Sequence, residues 1–241
     1  MTKTLIVNAD DFAGSLLISK GIILAHKHGI LKSTTVLTER GFLEQSFELL
    51  KECPDLKTGL HIDLDQIFIM KEPKKFYSRL YKITPLVKEH IKAAVEKQLE
   101  KFLKAGFKLS HFDSHHHAHM HPEIFPVVLQ KAKEFNVPMR FYCDYYTKLG
   151  NKHYRYLDTA LKSEIIKNGV LTTDMFFSSF REFFKEDFNS GTAEIMVHPG
   201  FVQNWQKADF ADCCNPEIRE NLLDKNIKSA SFEYLKKNLQ K

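Results

Sequence analysis

A single-domain α/β protein is predicted over residues 1–241, with seven or eight parallel strands forming a (β/α) barrel and the active site at their C-terminal ends. Three features of the sequence carry this expectation. Short apolar runs alternate with stretches of helical periodicity, the order that builds a parallel sheet from βα units. Several of the runs end in carboxylates or imidazoles, where barrels of this class hold their chemistry. The 241 residues contain no linker-like break in composition and are enough for one large core. An open doubly wound sheet would also gather residues at strand ends, but seven or eight strands in this length fit a closed or nearly closed barrel better.

The first strand is Leu5-Ile6-Val7-Asn8-Ala9-Asp10-Asp11, an apolar run ending in two carboxylates. Leu17, Ile18, Ile22, Ile23 and Ala25 then recur at helical spacing, predicting a helix over 16–28 stopped by Gly29. A strand over 33–37 and a helix over 43–51, ended by Pro54, follow. Residues 58–63 form a third strand-like run ending in His61 and Asp63. After a Lys-rich, aromatic stretch from 65 to 85, a long helix over 86–104 closes at Gly106, and a strand over 108–113 leads into the densest cluster of the chain. Beyond Pro122 the pattern predicts a helix to about residue 135, a strand over 139–142 and a helix near 157–168. Strands near 174–177, 192–197 and 227–231 complete the order, the second of these ending in His198-Pro199-Gly200.

Composition narrows the class. A hydrophobic fraction of 43% beside 27% charged residues is that of an ordinary soluble globular protein. The net charge of +5 is modest and its lysines are spread over helical faces, so nucleic acid is not an expected partner. No apolar run approaches the roughly 18 residues needed to span a bilayer, and Met1-Thr-Lys-Thr leads straight into strand-like sequence, so the cytoplasm is the expected compartment, without a membrane partner. Cys53, Cys143, Cys213 and Cys214 form no C-x-x-C pair and are read as reduced packing thiols. There is no P-loop and no G-x-G-x-x-G.

Six of the eleven residues from His111 to His121 are histidine, with Asp113 inside the run. Imidazole is the commonest side-chain metal ligand, and this density is hard to explain by packing, capping or an incidental His-rich tract. The run is internal and so is not a tag. Side chains at i and i+2 of a strand share a face, which groups Asn8 with Asp10, His61 with Asp63, His111 with Asp113 and His115, and Glu194 with His198.

Four blocks, Ile6-Val-Asn-Ala-Asp-Asp-Phe12, Gly59-Leu-His-Ile-Asp-Leu64, His111-Phe-Asp-Ser-His-His-His-Ala-His-Met-His-Pro122 and Glu194-Ile-Met-Val-His-Pro-Gly200, occur in this order. Together they resemble the signature of the YdjC-like carbohydrate deacetylases, the family that includes chitooligosaccharide deacetylase. The resemblance implies a deformed barrel that binds a divalent ion, usually magnesium. It also implies removal of the N-acetyl group from small N-acetylglucosamine-containing oligosaccharides such as diacetylchitobiose, releasing acetate. It makes Asp11, His61 and His115 the metal ligands, Asp10 the general base, and His198 the group near the departing amine. The family carries glycine after Asp-Asp-Phe where this chain has Ala13, so the turn there is expected to differ slightly.

The residue types suit amide hydrolysis. One carboxylate and two imidazoles leave room on an ion for water and a carbonyl oxygen, while a neighbouring carboxylate can accept a proton. The same donor set is more typical of zinc than of magnesium, so both ions stand as expectations. Asp113 is expected to orient a ligand imidazole; of His116, His117, His119 and His121, which cannot all be ligands of one site, most are expected to be structural or to support a ligand, with His117 and His119 the nearest to substrate. Arg140 either pairs with Asp10 or makes a surface salt bridge. Phe68, Phe76, Tyr77, Tyr81 and Trp205 are placed to rim the barrel mouth, with core burial the alternative for each phenylalanine. Rival functions are a phosphoesterase-like barrel metallohydrolase, disfavoured by the lack of an Arg/Lys clamp beside the motifs, and a non-enzymatic metal-binding protein, which would not need Asp10 beside a ligand. A homodimer is left open.

Overall fold

The computed structural model describes residues 2–68, 82–150 and 152–239. Among them seven parallel strands, β1 (Lys3–Phe12), β2 (Ser33–Val36), β3 (Lys57–Ile62), β4 (Leu109–Ser114), β5 (Met175–Phe177), β6 (Gly191–Val197) and β7 (Ile227–Ala230), make one curled sheet. Its order is β4-β3-β2-β1-β6-β5, with β7 also paired to β1. β1 is long enough to serve two neighbours along one edge: residues 3–6 pair with β7 and residues 8–12 with β2, while β6 pairs with residues 3–9. This sharing deforms the barrel.

Strand parity separates two kinds of interior. Leu5, Val7 and Ala9 of β1, Leu60 and Ile62 of β3, Phe112 of β4 and Ala193, Ile195 and Val197 of β6 join the main apolar core with the helices. The alternate positions hold Asn8, Asp10, His61, His111, Asp113 and Glu194, all buried. Ile6, on the same parity as Asn8, packs with Phe232 and Leu235 in a separate small cluster. A polar layer therefore lies on the concave side of an otherwise apolar sheet.

The expected strand over 139–142 is reduced to a single bridge between Phe112 and Met139. Pro138 has no N–H with which to extend a ladder, and beyond Arg140 the chain turns off, Asp144 adopting a left-handed φ of 59°. Among the described residues the ladder path runs from β4 to β5 without closing, so the barrel they form is partial. Two helices, Asn204–Cys214 and Pro216–Asp224, fill a region for which the sequence pattern predicts no element. Only Gln206 and Cys213 of the first and Leu222 of the second are buried, which leaves little periodic signal in the sequence. Among the described residues no helix is long and apolar enough to cross a membrane.

Helix α1 (Leu16–His28) crosses close to the turn that follows β6. A β-carbon on Gly21 would stand 2.6 Å from Gly200 Cα and 2.8 Å from the Pro199 carbonyl oxygen, so glycine permits the contact. Gly→Ala inside a helix ordinarily stabilises by roughly 0.5–1 kcal/mol. Gly21→Ala is expected to do the reverse, destabilising by about 1–3 kcal/mol through overpacking against backbone. Urea denaturation of the two proteins measures it, and a stabilised variant would refute the contact.

Candidate active site

The C-terminal ends of β1, β3, β4 and β6 converge on a cavity of about 540 Å³. Asp10, Asp11, His61, His115, His116, His117 and His198 all line it, joined by Tyr142, Tyr145, Lys148 and Trp205. The volume falls in the range of roughly 300–1,000 Å³ usual for small-ligand sites.

Beneath the cavity Arg140 is completely buried, so it makes no surface salt bridge. Its NH1 and NH2 donate to Asp10 Oδ2 and Oδ1, each at 2.7 Å, and its Nε donates to Glu194 Oε1 at 2.8 Å. NH1 also lies 2.9 Å from Asp113 Oδ2. One guanidinium thus serves three carboxylates. Burial would raise the Asp10 carboxyl, but the Arg140 charge overrides it and holds the group well below the usual carboxylate range. Glu194 responds differently: burial pushes its carboxyl up to about 7 against the pull of Arg140, and its Oε2 is buried with no hydrogen-bond partner among the described residues.

Asn8 Nδ2 donates to Asp10 Oδ1 at 2.9 Å, and His111 Nε2 donates to Asn8 Oδ1 at 3.0 Å. His111 is fully buried and stacks on Phe232 with ring centroids 3.9 Å apart. Gly59 makes space for it, since a β-carbon there would lie 2.6 Å from the His111 ring. Desolvation keeps His111 well below its ordinary pKa and therefore neutral.

His61 stands between the buried layer and the cavity. Its Nδ1 donates to Asp113 Oδ1 at 2.6 Å, and its Nε2 lies 3.4 Å from Asp11 Oδ1. Burial would lower the His61 pKa, but Asp113 and Asp10 push it up to about 9. The surroundings therefore favour a cation at this imidazole. Asp11 Oδ1 is buried and has no hydrogen-bond partner among the described residues. Asp11 itself takes a left-handed φ of 69°, an uncommon conformation for a non-glycine residue that recurs at functional sites. Ala13, where the resemblance expects glycine, also stands at φ 66° and is fully buried, so the turn keeps a left-handed form despite its β-carbon.

β4 ends at Ser114, and His115–Met120 forms a tight 3-10 turn in which His116 and His117 have φ of 53° and 56°. His115 Nδ1 donates to Asp65 Oδ2 at 2.9 Å. His117 packs edge-on against Tyr142, Tyr145 and Phe176, and burial holds its pKa well below the ordinary value. His119 does not reach the cavity, against expectation. It is fully buried, Nδ1 accepting from Ser114 Oγ at 2.6 Å and Nε2 donating to the Arg140 carbonyl at 3.2 Å, so its ring ties the turn to the Arg140 backbone.

His198 follows β6, and its backbone N–H donates to Asp209 Oδ2 at 2.7 Å. Burial would lower its pKa, but Asp209, Asp10 and Asp11 together raise it. Trp205 meets the His198 ring edge-on at 5.3 Å and is half exposed at the mouth. Of the other aromatic residues expected at the rim, Phe68 packs against the core, and positions 76, 77 and 81 lie outside the described residues.

Among the described residues two groups offer three donor atoms within 4.8 Å of one another, Asp10 with His61 and Asp113, and Asp65 with His115 and His116. In the first, the Asp10 and Asp113 carboxylates are already bound by Arg140, so it is a hydrogen-bonded ion network. Asp11, His61 and His115 form no group that tight. Asp11 and His61 face each other, while the His61 and His115 rings are 5.8 Å apart. The orphaned Asp11 oxygen opposite an imidazole nitrogen is nevertheless what a cation-binding pair presents, and two imidazoles with one carboxylate suit a divalent ion of zinc type.

Sequence reasoning missed Asp65, Asp209 and Gln98. Gln98 is buried and clamps the end of β3 on both sides, its Oε1 accepting from Asp63 N at 2.8 Å and its Nε2 donating to Asp63 O at 2.7 Å. A buried glutamine on the apolar face of a helix was the available signal.

Residues 4–230 match the profile of YdjC-like proteins. A carbohydrate deacetylase of Thermoanaerobacter pseudethanolicus is 30% identical over 223 residues, covering 84% of this chain and 83% of the relative. A chitooligosaccharide deacetylase of Proteus mirabilis is 47% identical over 64 residues, 27% of this chain and 25% of the relative. Among solved structures, an Enterococcus faecalis V583 protein named for proposed cellobiose-phosphate cleavage superposes with a TM-score of 0.77 at 22% identity, covering 98% of this chain and 99% of that one. This last likeness is one of fold.

Proposed function

Because the chain belongs to the YdjC-like family, we propose that it is a metal-dependent carbohydrate N-deacetylase acting on small N-acetylglucosamine-containing sugars such as diacetylchitobiose. The observation that carries the reading is the pair of adjacent carboxylates at the end of β1. Asp11 turns toward His61 an oxygen that makes no hydrogen bond among the described residues, while Asp10 is held by Arg140 at the same cavity.

Asp11, His61 and His115 would hold the ion. A divalent ion held there would supply Lewis-acid polarisation of the acetyl carbonyl and acidify water. Asp113 fixes His61 with Nδ1 protonated, so Nε2 is the nitrogen left for coordination. In the reaction the water oxygen bonds to the acetyl carbon and the C–N bond breaks, giving acetate and a free amine. Asp10 takes the water proton and His198 delivers one to the departing nitrogen. The Arg140 clamp keeps Asp10 ionised and weakens it as a base, which suffices when the water is itself acidified. The raised pKa of His198 fits a proton donor.

Phosphoester chemistry is less well supported. Among the described lining residues Lys148 is the one lysine or arginine, and its Nζ is paired with Glu182 at 2.6 Å.

His61→Ala and His115→Ala are expected to lose metal and acetate-releasing activity while keeping the fold, since each removes a polar group and little apolar core. Metal content by mass spectrometry, far-ultraviolet circular dichroism and acetate release from diacetylchitobiose decide it. Full metal occupancy in both folded variants would refute the ligand assignment.

A further inference from the structure

His61 and His115 are held in the same manner. Each turns Nδ1 toward a carboxylate, Asp113 at 2.6 Å for His61 and Asp65 at 2.9 Å for His115. Asp113 is fixed by Arg140 and by Thr35, whose Oγ1 donates to Asp113 Oδ2 at 3.0 Å. Asp65 has its own support: Arg40 NH2 lies 3.1 Å from Asp65 Oδ2 and 2.7 Å from Asp63 Oδ2. The Asp65 backbone N–H also donates to Asp63 Oδ1 at 3.0 Å, and Gln98 clamps the Asp63 backbone. The support thus runs from a buried helix residue through the end of β3 to one imidazole.

We propose that Asp65 is the positioning residue for His115, fixing its ring with Nδ1 protonated so that Nε2 is presented to the metal ion. This rests on the reading of His115 as a ligand. His115 needs such a partner more than His61 does. It is the first residue after β4, it is partly exposed, and the two residues that follow are left-handed. Imidazole has two nitrogens, and the hydrogen bond at one decides which remains for coordination.

The alternative is that Asp65 is itself a ligand, together with His115 and His116, whose Nε2 lies 3.8 Å from Asp65 Oδ2. Arg40 argues against it. A guanidinium already occupies the cation position at that same oxygen, and an ion there would meet its charge at short range.

The test uses the full chain, Co2+ as the probe, and the variants Asp65→Ala, His115→Ala and the double variant. In the metal-free wild type, ring ¹⁵N shifts should report His115 as the Nδ1–H tautomer, and Asp65→Ala should lose that preference without change in circular dichroism. Calorimetric Co2+ affinity should fall about 10- to 100-fold in Asp65→Ala, the usual effect of removing the carboxylate behind a ligand histidine. In the His115→Ala background, removing Asp65 should cost nothing further. Wild-type Co2+ affinity in Asp65→Ala, or an equal further loss in the double variant, would overturn the positioning role while leaving His115 a ligand. Wild-type affinity in His115→Ala would instead overturn the ligand reading and this inference with it.

Discussion

Arg140→Met is expected to destabilise the protein by about 3–5 kcal/mol, the cost of removing one partner from a buried ion pair. The side chain is completely buried and its guanidinium meets Asp10, Asp113 and Glu194 within 2.9 Å. Methionine fills much of the volume but takes the guanidinium from three carboxyls and leaves His61 as the charge partner of Asp113, so the carboxyls must take up protons or admit water. Against a typical total of about 5–15 kcal/mol, such a loss is a large fraction of the fold's stability. Lysine should recover part of it, because a single ammonium cannot reproduce the fork that binds Asp10 at both oxygens. Guanidinium denaturation of the wild type and both variants measures the series. A change below about 1 kcal/mol for methionine, the scale of an exposed pair, would contradict the arrangement.

Asp10→Asn and Asp11→Asn are expected to fail in different ways. Removing the proton acceptor at position 10 should lower turnover by on the order of 100-fold or more while the ion stays bound. At position 11 a neutral amide replaces the carboxylate that faces His61, so metal affinity should fall first, with activity lost as its consequence. The amide introduced by Asp10→Asn would also set an N–H group against Arg140, so rates must be taken on the folded fraction at saturating metal. Metal retained by Asp11→Asn and lost from Asp10→Asn would exchange the two roles. Wild-type turnover in Asp10→Asn would remove the base.

The strands and their chemical ends were legible because a buried parallel strand reads as an unbroken apolar run, and a charge inside such a run marks where burial stops being apolar. Leu5 to Asp11 and Thr58 to Asp63 are cases of this. What the sequence could not carry was non-local pairing. Arg140 meets Asp10 across 130 residues and Glu194 across 54, and no local pattern distinguishes a buried three-carboxylate hub from one surface pair. Asp65 stands in an ordinary helical turn and acquires meaning from His115, 50 residues away. The histidine run misled in one respect: His119, expected near substrate, is a neutral ring held in internal hydrogen bonds, as is His111, for which no role at the metal was expected. Helix Asn204–Cys214 escaped because its buried contacts are a polar glutamine and one cysteine.

Acetate release from diacetylchitobiose by the wild-type protein, before chelation, after chelation to a verified metal-free state and after readdition of Zn2+ or Mg2+, tests the central claim most directly. A carboxylate, two imidazoles and a second carboxylate clamped by Arg140 at one cavity predict activity that disappears with the ion and returns with it. Undiminished acetate release from the metal-free protein would contradict the account.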